Sequence, residues 1–339
     1  MKNNSVILAI LILSASLLLS SCESTSTPPD TAVVFTDSTL FILSEGAFGS
    51  SNAQLDVYSL KNNTLSSDIV KPLGDVGNDV QFFGKRLFIV LENSNKVLSV
   101  NPDSVADRTS IPLQIGATPF KMAKVSANEV WVTEFKNNAI AVIDPNTSTL
   151  TSSIPLDASQ TEISIYNGKA FILTNANNLE VLDIASKSIL SNKYIGDYPA
   201  QIVIDTARNK IIIVTYGDAF VTKTLPKILW VDPATYAITD SITVSAPDFI
   251  NQIIPAGNKA FVLYGDRLAI LDLATHSIGG FAAKGYYKGM FDARTNQLIL
   301  GAGDYTSPGS VDILDASTGN LLKTFSSGIL PGHFLIYRK

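Results

Sequence analysis

Short apolar runs recur along this chain at a nearly constant interval. They read Leu40-Phe41-Ile42-Leu43, Leu87-Phe88-Ile89-Val90, Val130-Trp131-Val132-Thr133, Ala170-Phe171-Ile172-Leu173, Ile211-Ile212-Ile213-Val214, Ala260-Phe261-Val262-Leu263 and Leu298-Ile299-Leu300-Gly301. Their starts are 47, 43, 40, 41, 49 and 38 residues apart. A period near 40 residues marks a repeat architecture, and it decides the fold class before any single residue is considered. The clearest copy runs from Val130 to Leu156: an apolar strand, a polar turn, a second strand ending in Ile143-Asp144-Pro145, an Asn/Thr/Ser turn and a third strand.

A further strand precedes each unit, in several copies after a Gly-x-x-Pro turn: Gly116 to Pro119, Gly196 to Pro199 and Gly328 to Pro331. Four short strands per repeat, with no stretch carrying the 3.6-residue period of a long helix, predict an all-β fold: a seven-bladed β-propeller of four-stranded antiparallel blades. The apolar runs do not alternate, as expected for strands covered on both faces by neighbouring blades. Phe41, Phe88, Trp131, Phe171 and Phe261 share one column and are read as inter-blade packing. Asp144, Asp183, Asp232, Asp272 and Asp315 share another, just after the second strand. They are read as turn residues whose carboxylates accept backbone N–H groups, not as catalytic groups. The last strand, Phe334 to Tyr337, has no blade after it, so it is expected to return as the innermost strand of the first blade. Residues 32–35 compete for that place, or add an outer strand near the seam.

Composition narrows the class. The chain has 339 residues, 46% hydrophobic and 16% charged, which describes a globular protein. Net charge is -5 and no basic run exceeds Lys85-Arg86, so no nucleic-acid partner is expected. Residues 1–21 read as an export signal: Lys2, an apolar run from Val6 to Leu19, then small residues. The run is short for a spanning helix. Leu19-Ser20-Ser21-Cys22 resembles a bacterial lipobox, which implies lipidation of Cys22, the sole cysteine. The alternative is an ordinary secretory signal with a chance cysteine. Residues 22–31 are expected to form a flexible tether, and 32–339 the propeller. Glu23 is not the Asp that retains many lipoproteins at the inner membrane, which favours an outer-membrane, lipid-anchored location.

Familiar catalytic motifs are missing, and no cofactor fingerprint is present. The two histidines, His276 and His333, lie far apart in sequence. Glu45, Glu92 and Glu134 end successive apolar strands, and some propeller lactonases bind calcium through oxygen ligands near the axis. Glu45 and Glu92 are therefore the metal alternative, although no metal site is the main expectation. Aromatics among loop-type residues point to the channel mouth instead: Phe48 with Asn52, Phe135, Tyr198, Tyr216, Phe220, Phe249, Tyr264, Tyr286, Tyr287 and Tyr305. Such rings make a ligand platform; the alternative is that they fill the channel.

Phe171-Ile-Leu-Thr-Asn175 followed by Val181-Leu-Asp183 resembles the motif of seven-bladed propellers of the Tyr-Val-Thr-Asn type. The segment from Phe41 to Tyr58, with Glu45-Gly46, Gly49 and Asn52, is similar to the opening blade of lipoprotein propellers with a Leu-Asn-Glu-Gly-x-x-Gly-x-x-Asn motif; Ser44 stands in place of the usual Asn. That family includes surface lipoproteins that capture vitamin B12 and pass it to a TonB-dependent outer-membrane transporter. The resemblance implies a non-enzymatic, surface-displayed protein with a corrinoid or other large nutrient as ligand and such a transporter as partner. Two other readings stay open: a metal-dependent lactonase or esterase, and a protein-interaction or structural propeller.

Overall fold

The computed structural model describes residues 38–244, 249–282 and 284–338. The export signal, Cys22 and the tether lie outside the described residues. Within them the chain forms 28 strands in seven antiparallel four-stranded sheets, and no helix. This is the seven-bladed propeller expected from the repeat. In each blade the strands run outward from the axis. The inner strands of blades 2 to 7 are Gly77–Phe83, Pro119–Lys124, Gln160–Tyr166, Pro199–Asp205, Ile250–Ala256 and Lys288–Asp292.

The apolar runs form the second strand of each blade, and their burial has no inside–outside alternation. The reason lies in how blades stack. Phe171 packs toward blade 5 and its neighbour Ile172 toward blade 3, so both faces of the strand are core. The same holds around the ring, where seven apolar clusters fill the seven blade-to-blade interfaces. Phe41, Phe88, Trp131, Phe171 and Phe261 are all fully buried in these clusters, each contributing roughly 1.5–3 kcal/mol relative to exposure. Outer strands such as Ser104–Pro112 and Ile189–Tyr194 are mainly exposed and polar or charged, which discourages edge-to-edge pairing with other chains.

The repeated aspartates do what turn residues do. Asp232 Oδ1 accepts the backbone N–H of Ala234 at 3.0 Å and of Thr235 at 2.8 Å, and Asp315 repeats this with Ser317 and Thr318 at 2.9 and 2.8 Å. Asp144 and Asp272 close equivalent turns.

The ring closes through the C-terminal strand. Pro331–Tyr337 pairs antiparallel with Thr39–Ser44, placing Phe41 opposite Leu335 and Leu43 opposite His333. Blade 1 is thus built from both ends of the propeller, its outer members being Gln54–Ser59 and Thr64–Ser66. The competing segment 32–35 lies outside the described residues.

Antiparallel order fixes two faces. Turns from second to third strands, and connections from outer strands to the next inner strand, emerge together as the mouth face. The remaining hairpins form the opposite face.

Candidate functional site

Six of the seven inner strands carry a register shift at their mouth end, at Gly77/Asp79, Pro119/Met122, Gln160/Glu162, Pro199/Gln201, Ile250/Gln252 and Pro331/His333. A bulge re-aims the side chain that follows it. The residues so placed are Asp79, Lys121, Glu162, Gln201, Gln252 and His333, and Lys288 completes the ring in blade 7. Each faces the same point of its second strand; Glu162, Gln201 and Lys288, for example, stand opposite Leu173, Val214 and Gly301. Seven polar side chains therefore circle the channel in a layer otherwise made of apolar strands.

Three of them lock blades together. Asp79 Oδ2 accepts Met122 N–H at 2.9 Å, Gln201 Oε1 accepts Ile253 N–H at 2.7 Å, and Gln252 Oε1 accepts Gly289 N–H at 2.7 Å. Each ties the inner strand of the following blade, satisfying N–H groups that a sheet edge leaves open. Lys121, Glu162, Lys288 and His333 make no such tie. Of these, Lys288 and His333 turn to Glu45 instead.

Electrostatics joins them across the axis. Burial pushes Glu162 up to about 7, against the pull of the Lys121 ammonium and with the help of Asp79. Burial would lower Lys121, but Asp79, Glu162 and Glu45 together hold it above its ordinary value. His333 is lowered to about 4 by burial and by the nearby Lys288 and Lys121, so it is neutral at pH 7.

Glu45, at the end of the second strand of blade 1, organises the mouth. Its Oε1 accepts the Tyr287 hydroxyl at 2.7 Å and the Lys288 ammonium at 3.0 Å, and lies 3.5 Å from His333 Nε2. Burial would raise this carboxyl, but Lys288, His333 and Tyr287 hold it well below the usual carboxylate range. Lys288 also stands over the Tyr287 ring, 4.6 Å from its centroid. Above this group opens a cavity of about 290 Å³ lined by Phe48, Asn78, Glu92, Phe120, Tyr287 and Tyr305 among others.

The sequence-derived site residues divide into three groups. Phe48, Tyr287 and Tyr305 meet at this cavity together with Glu45 and Glu92, and Phe48 and Tyr305 are 69% and 59% exposed. Phe135, Tyr198, Phe220 and Phe249 are exposed around the same face. Phe135 leans on Phe120, and Phe249 meets Tyr216 edge to face at 5.7 Å. Phe220, 90% exposed, rides a loop held by Asp218, whose carboxylate accepts the N–H groups of Phe220, Val221 and Thr222. Asn52 shapes the first-blade loop, its Oδ1 accepting Ala47 N–H at 2.8 Å. Tyr264 is partly buried and packs with the core between blades 5 and 6. Tyr286 is a correction. It is buried between blades 6 and 7 with its hydroxyl donating to Asp312 at 3.0 Å, and takes no part in the mouth; the Tyr-Tyr pair put adjacent side chains on opposite sides of the strand entry.

The carboxylates do not assemble as a metal site would. Glu45 is committed to a cation and a hydroxyl, Glu92 Oε2 accepts Asn78 Nδ2 at 2.6 Å, and Glu134, nearly buried, accepts Asn137 Nδ2 at 2.5 Å. Among the described residues no three His, Cys, Asp or Glu side chains are placed to hold a metal ion.

Lys121, Glu162, Lys288 and His333 were missed as site residues. A signal for them existed: Lys121, Gln201 and His333 each stand two residues after the proline of a Gly-x-x-Pro turn, a polar residue at a fixed offset in a strand that should be covered.

No protein-family model matches the chain, and no curated protein matches it. Solved structures do. The periplasmic gluconolactonase PpgL of Pseudomonas aeruginosa is 11% identical with a TM-score of 0.64, over 88% of this chain and 99% of that one. Hydrazine synthase of Kuenenia stuttgartiensis is 12% identical with a TM-score of 0.63, over 78% and 95%. Dihydro-haem d1 dehydrogenase NirN, in complex with DHE, is 11% identical with a TM-score of 0.61, over 87% and 74%. At such identities, and among such different activities, what the chain shares with them is the fold: it is a seven-bladed β-propeller.

Proposed function

We propose that this chain is a ligand-capture propeller whose mouth binds a large, ring-bearing nutrient without transforming it. The first candidate is a corrinoid, passed on to a TonB-dependent transporter by a protein lipidated at Cys22 and held at the outer membrane, on the cell surface. The supporting observation is the mouth cavity, where exposed Phe48 and Tyr305 flank a fixed polar floor of Tyr287, Lys288 and Glu45. Exposed rings over pre-ordered hydrogen-bonding groups suit a ligand with an apolar plane and polar substituents. A cavity of about 290 Å³ admits one edge of such a ligand, while the exposed rim aromatics meet the rest. The corrinoid, the transporter and the surface display come from the resemblance of the Phe41–Tyr58 segment, and the anchor from the lipobox-like Leu19 to Cys22.

Hydrolysis, the rival reading, needs an activated water or nucleophile. Glu45 and Glu92 share the cavity, but the bond of Glu45 to Lys288 and the lack, among the described residues, of a third His, Cys, Asp or Glu beside them do not favour a metal there. Titration of the purified chain with cyanocobalamin tests the proposal directly. Saturable binding is expected, weakened about tenfold by Phe48→Ala with Tyr305→Ala, the loss of roughly 1.4 kcal/mol. No binding of any corrinoid at micromolar concentration sinks the corrinoid reading. Chelator-sensitive cleavage of a lactone, abolished by Glu45→Gln, would favour the hydrolase instead.

A further inference from the structure

A second and larger cavity, about 550 Å³, lies on the face opposite the mouth, at the seam where the closing strand joins blade 7 to blade 1. Among the described residues its lining includes Lys61, Arg294, Lys323 and Arg338 and no carboxylate. Four cations in one cleft stand out in a chain whose net charge is -5. Like charges so gathered repel one another unless an anion is shared among them.

Two of the cations are held in place. Lys323 Nζ donates to the Tyr58 hydroxyl and to Asn63 Oδ1, both at 2.6 Å, and Tyr58 is itself stacked on Phe325 at 4.5 Å. Arg338 Nη2 donates to the buried Asp292 carboxylate at 2.6 Å. That bond uses one edge of the guanidinium, and Arg338 Nε is left buried with no hydrogen-bond partner. A buried N–H on a charged group without an acceptor is costly and calls for an explanation. The other two cations are uncommitted: among the described residues, neither the Lys61 ammonium nor the Arg294 guanidinium has a hydrogen bond or ion pair. Arg294 is placed by its backbone alone, its N–H bonded to Asp292 Oδ1 at 3.1 Å. Leu60 and Ile313 give the cleft an apolar side.

We propose that this seam cleft is a binding site for a phosphate-type oxyanion. Arg338 and Lys323 form its pre-ordered wall, and Arg294 and Lys61 close on the ligand from the rim. A tetrahedral oxyanion offers enough acceptors to bridge both free cations and the exposed edge of the Arg338 guanidinium, and arginine forks match that geometry. The oxyanion is either free phosphate or the headgroup of a lipid whose body lies along Leu60 and Ile313. The site is independent of the mouth, so it stands whether or not the ligand proposed there is correct.

The test is calorimetric titration of the full-length chain in neutral detergent with inorganic phosphate and, separately, with dihexanoyl phosphatidic acid, dihexanoyl phosphatidylcholine serving as control. Saturable binding of either anion is expected, with the zwitterion inert. The Lys61→Ala/Arg294→Ala double variant should bind about tenfold more weakly or worse, the effect of losing charge-assisted hydrogen bonds. Both side chains lack partners and their removal relieves like-charge repulsion, so its melting temperature in chloride should equal or slightly exceed that of the parent. Phosphate should also raise the melting temperature of the parent, relative to chloride at equal ionic strength, more than that of the variant. Binding of phosphate alone or of the lipid alone identifies the source. Undiminished binding by the double variant, or no binding of either anion by the parent, overturns the proposal.

Discussion

Glu180 lies on the third strand of blade 4 with no exposed surface, and neither of its carboxyl oxygens has a hydrogen-bond partner. Its counterparts at the same register are better served. Asp56, opposite Ile42, takes Gln54, Ser327 and the Asp68 N–H; Asp312, opposite Leu300, takes Lys284 and Tyr286. Burial, aided by Asp157, pushes Glu180 from 4.5 up to about 7. Between those values the folded protein holds a proton that the unfolded chain releases, so this residue's contribution to stability falls as pH rises through that window. Glu180→Met should therefore stabilise the protein by roughly 1–3 kcal/mol at pH 8 and by less at pH 5. Urea denaturation at both pH values measures this, and an equal gain at both, or a loss, refutes it. Lys288 is the opposite case. Lys288→Met leaves the Glu45 carboxylate buried beside no cation, at a cost of about 3 kcal/mol at neutral pH. Glu45 is depressed in the parent, so its stabilising contribution is full above the unfolded value and disappears as pH falls. The gap between parent and variant should therefore narrow below pH ~4.5 in the same denaturation experiment.

At the scale of elements, the closing strand carries the strictest packing. A Cβ on Gly301 would stand 1.9 Å from the Pro331 carbonyl oxygen and 3.0 Å from Phe334. Backbone rather than a flexible side chain blocks the space, so Gly301→Ala must push blade 7 off the strand that completes blade 1. A loss of roughly 1–3 kcal/mol is expected, together with faster proteolysis at the seam. Gly279→Ala, on an outer strand with nothing within 4 Å of the added atom, should leave the melting temperature within a degree or two. A G301A protein as stable as the parent would show that the seam tolerates displacement. Much of this level was legible in the sequence. The apolar runs, the turn aspartates and the return of Phe334 to Tyr337 are local or repeated signals. The bulges were not, because an extra residue in an edge-paired strand leaves no mark on hydropathy.

The whole molecule is seven interfaces arranged around an axis, and the ring residues divide between holding those interfaces and facing the channel. Gln201 bonds both the N–H and the carbonyl of Ile253 in the next blade. Gln201→Leu should thus cost roughly 1–3 kcal/mol by stranding those groups, with little change in ligand affinity. Lys121→Met should instead lower affinity for the mouth ligand, and it costs stability at neutral pH as well, because it removes the cation that Asp79, Glu162 and Glu45 hold charged. Melting curves and ligand titrations on the two variants separate these outcomes. A ligand indifferent to Lys121 would confine the site to the rim above the ring.

The sequence by itself determined the blade and its number, because each rests on contacts within one repeat or on a pattern repeated seven times, and it pointed to Phe334 to Tyr337 as the closing strand with residues 32–35 competing. It also brought out Phe48, Tyr287 and Tyr305, which loop composition betrays. Only the tertiary structure decided that these three share a cavity with Glu45, that Tyr286 turns inward, and that Lys121, Glu162, Lys288 and His333 converge. Those residues lie up to 212 positions apart, from Lys121 to His333, and are brought together by ring closure. The physical reason is the same for the basic seam: Lys61 and Arg338 stand at opposite ends of the propeller, and they meet only because the last strand completes the first blade.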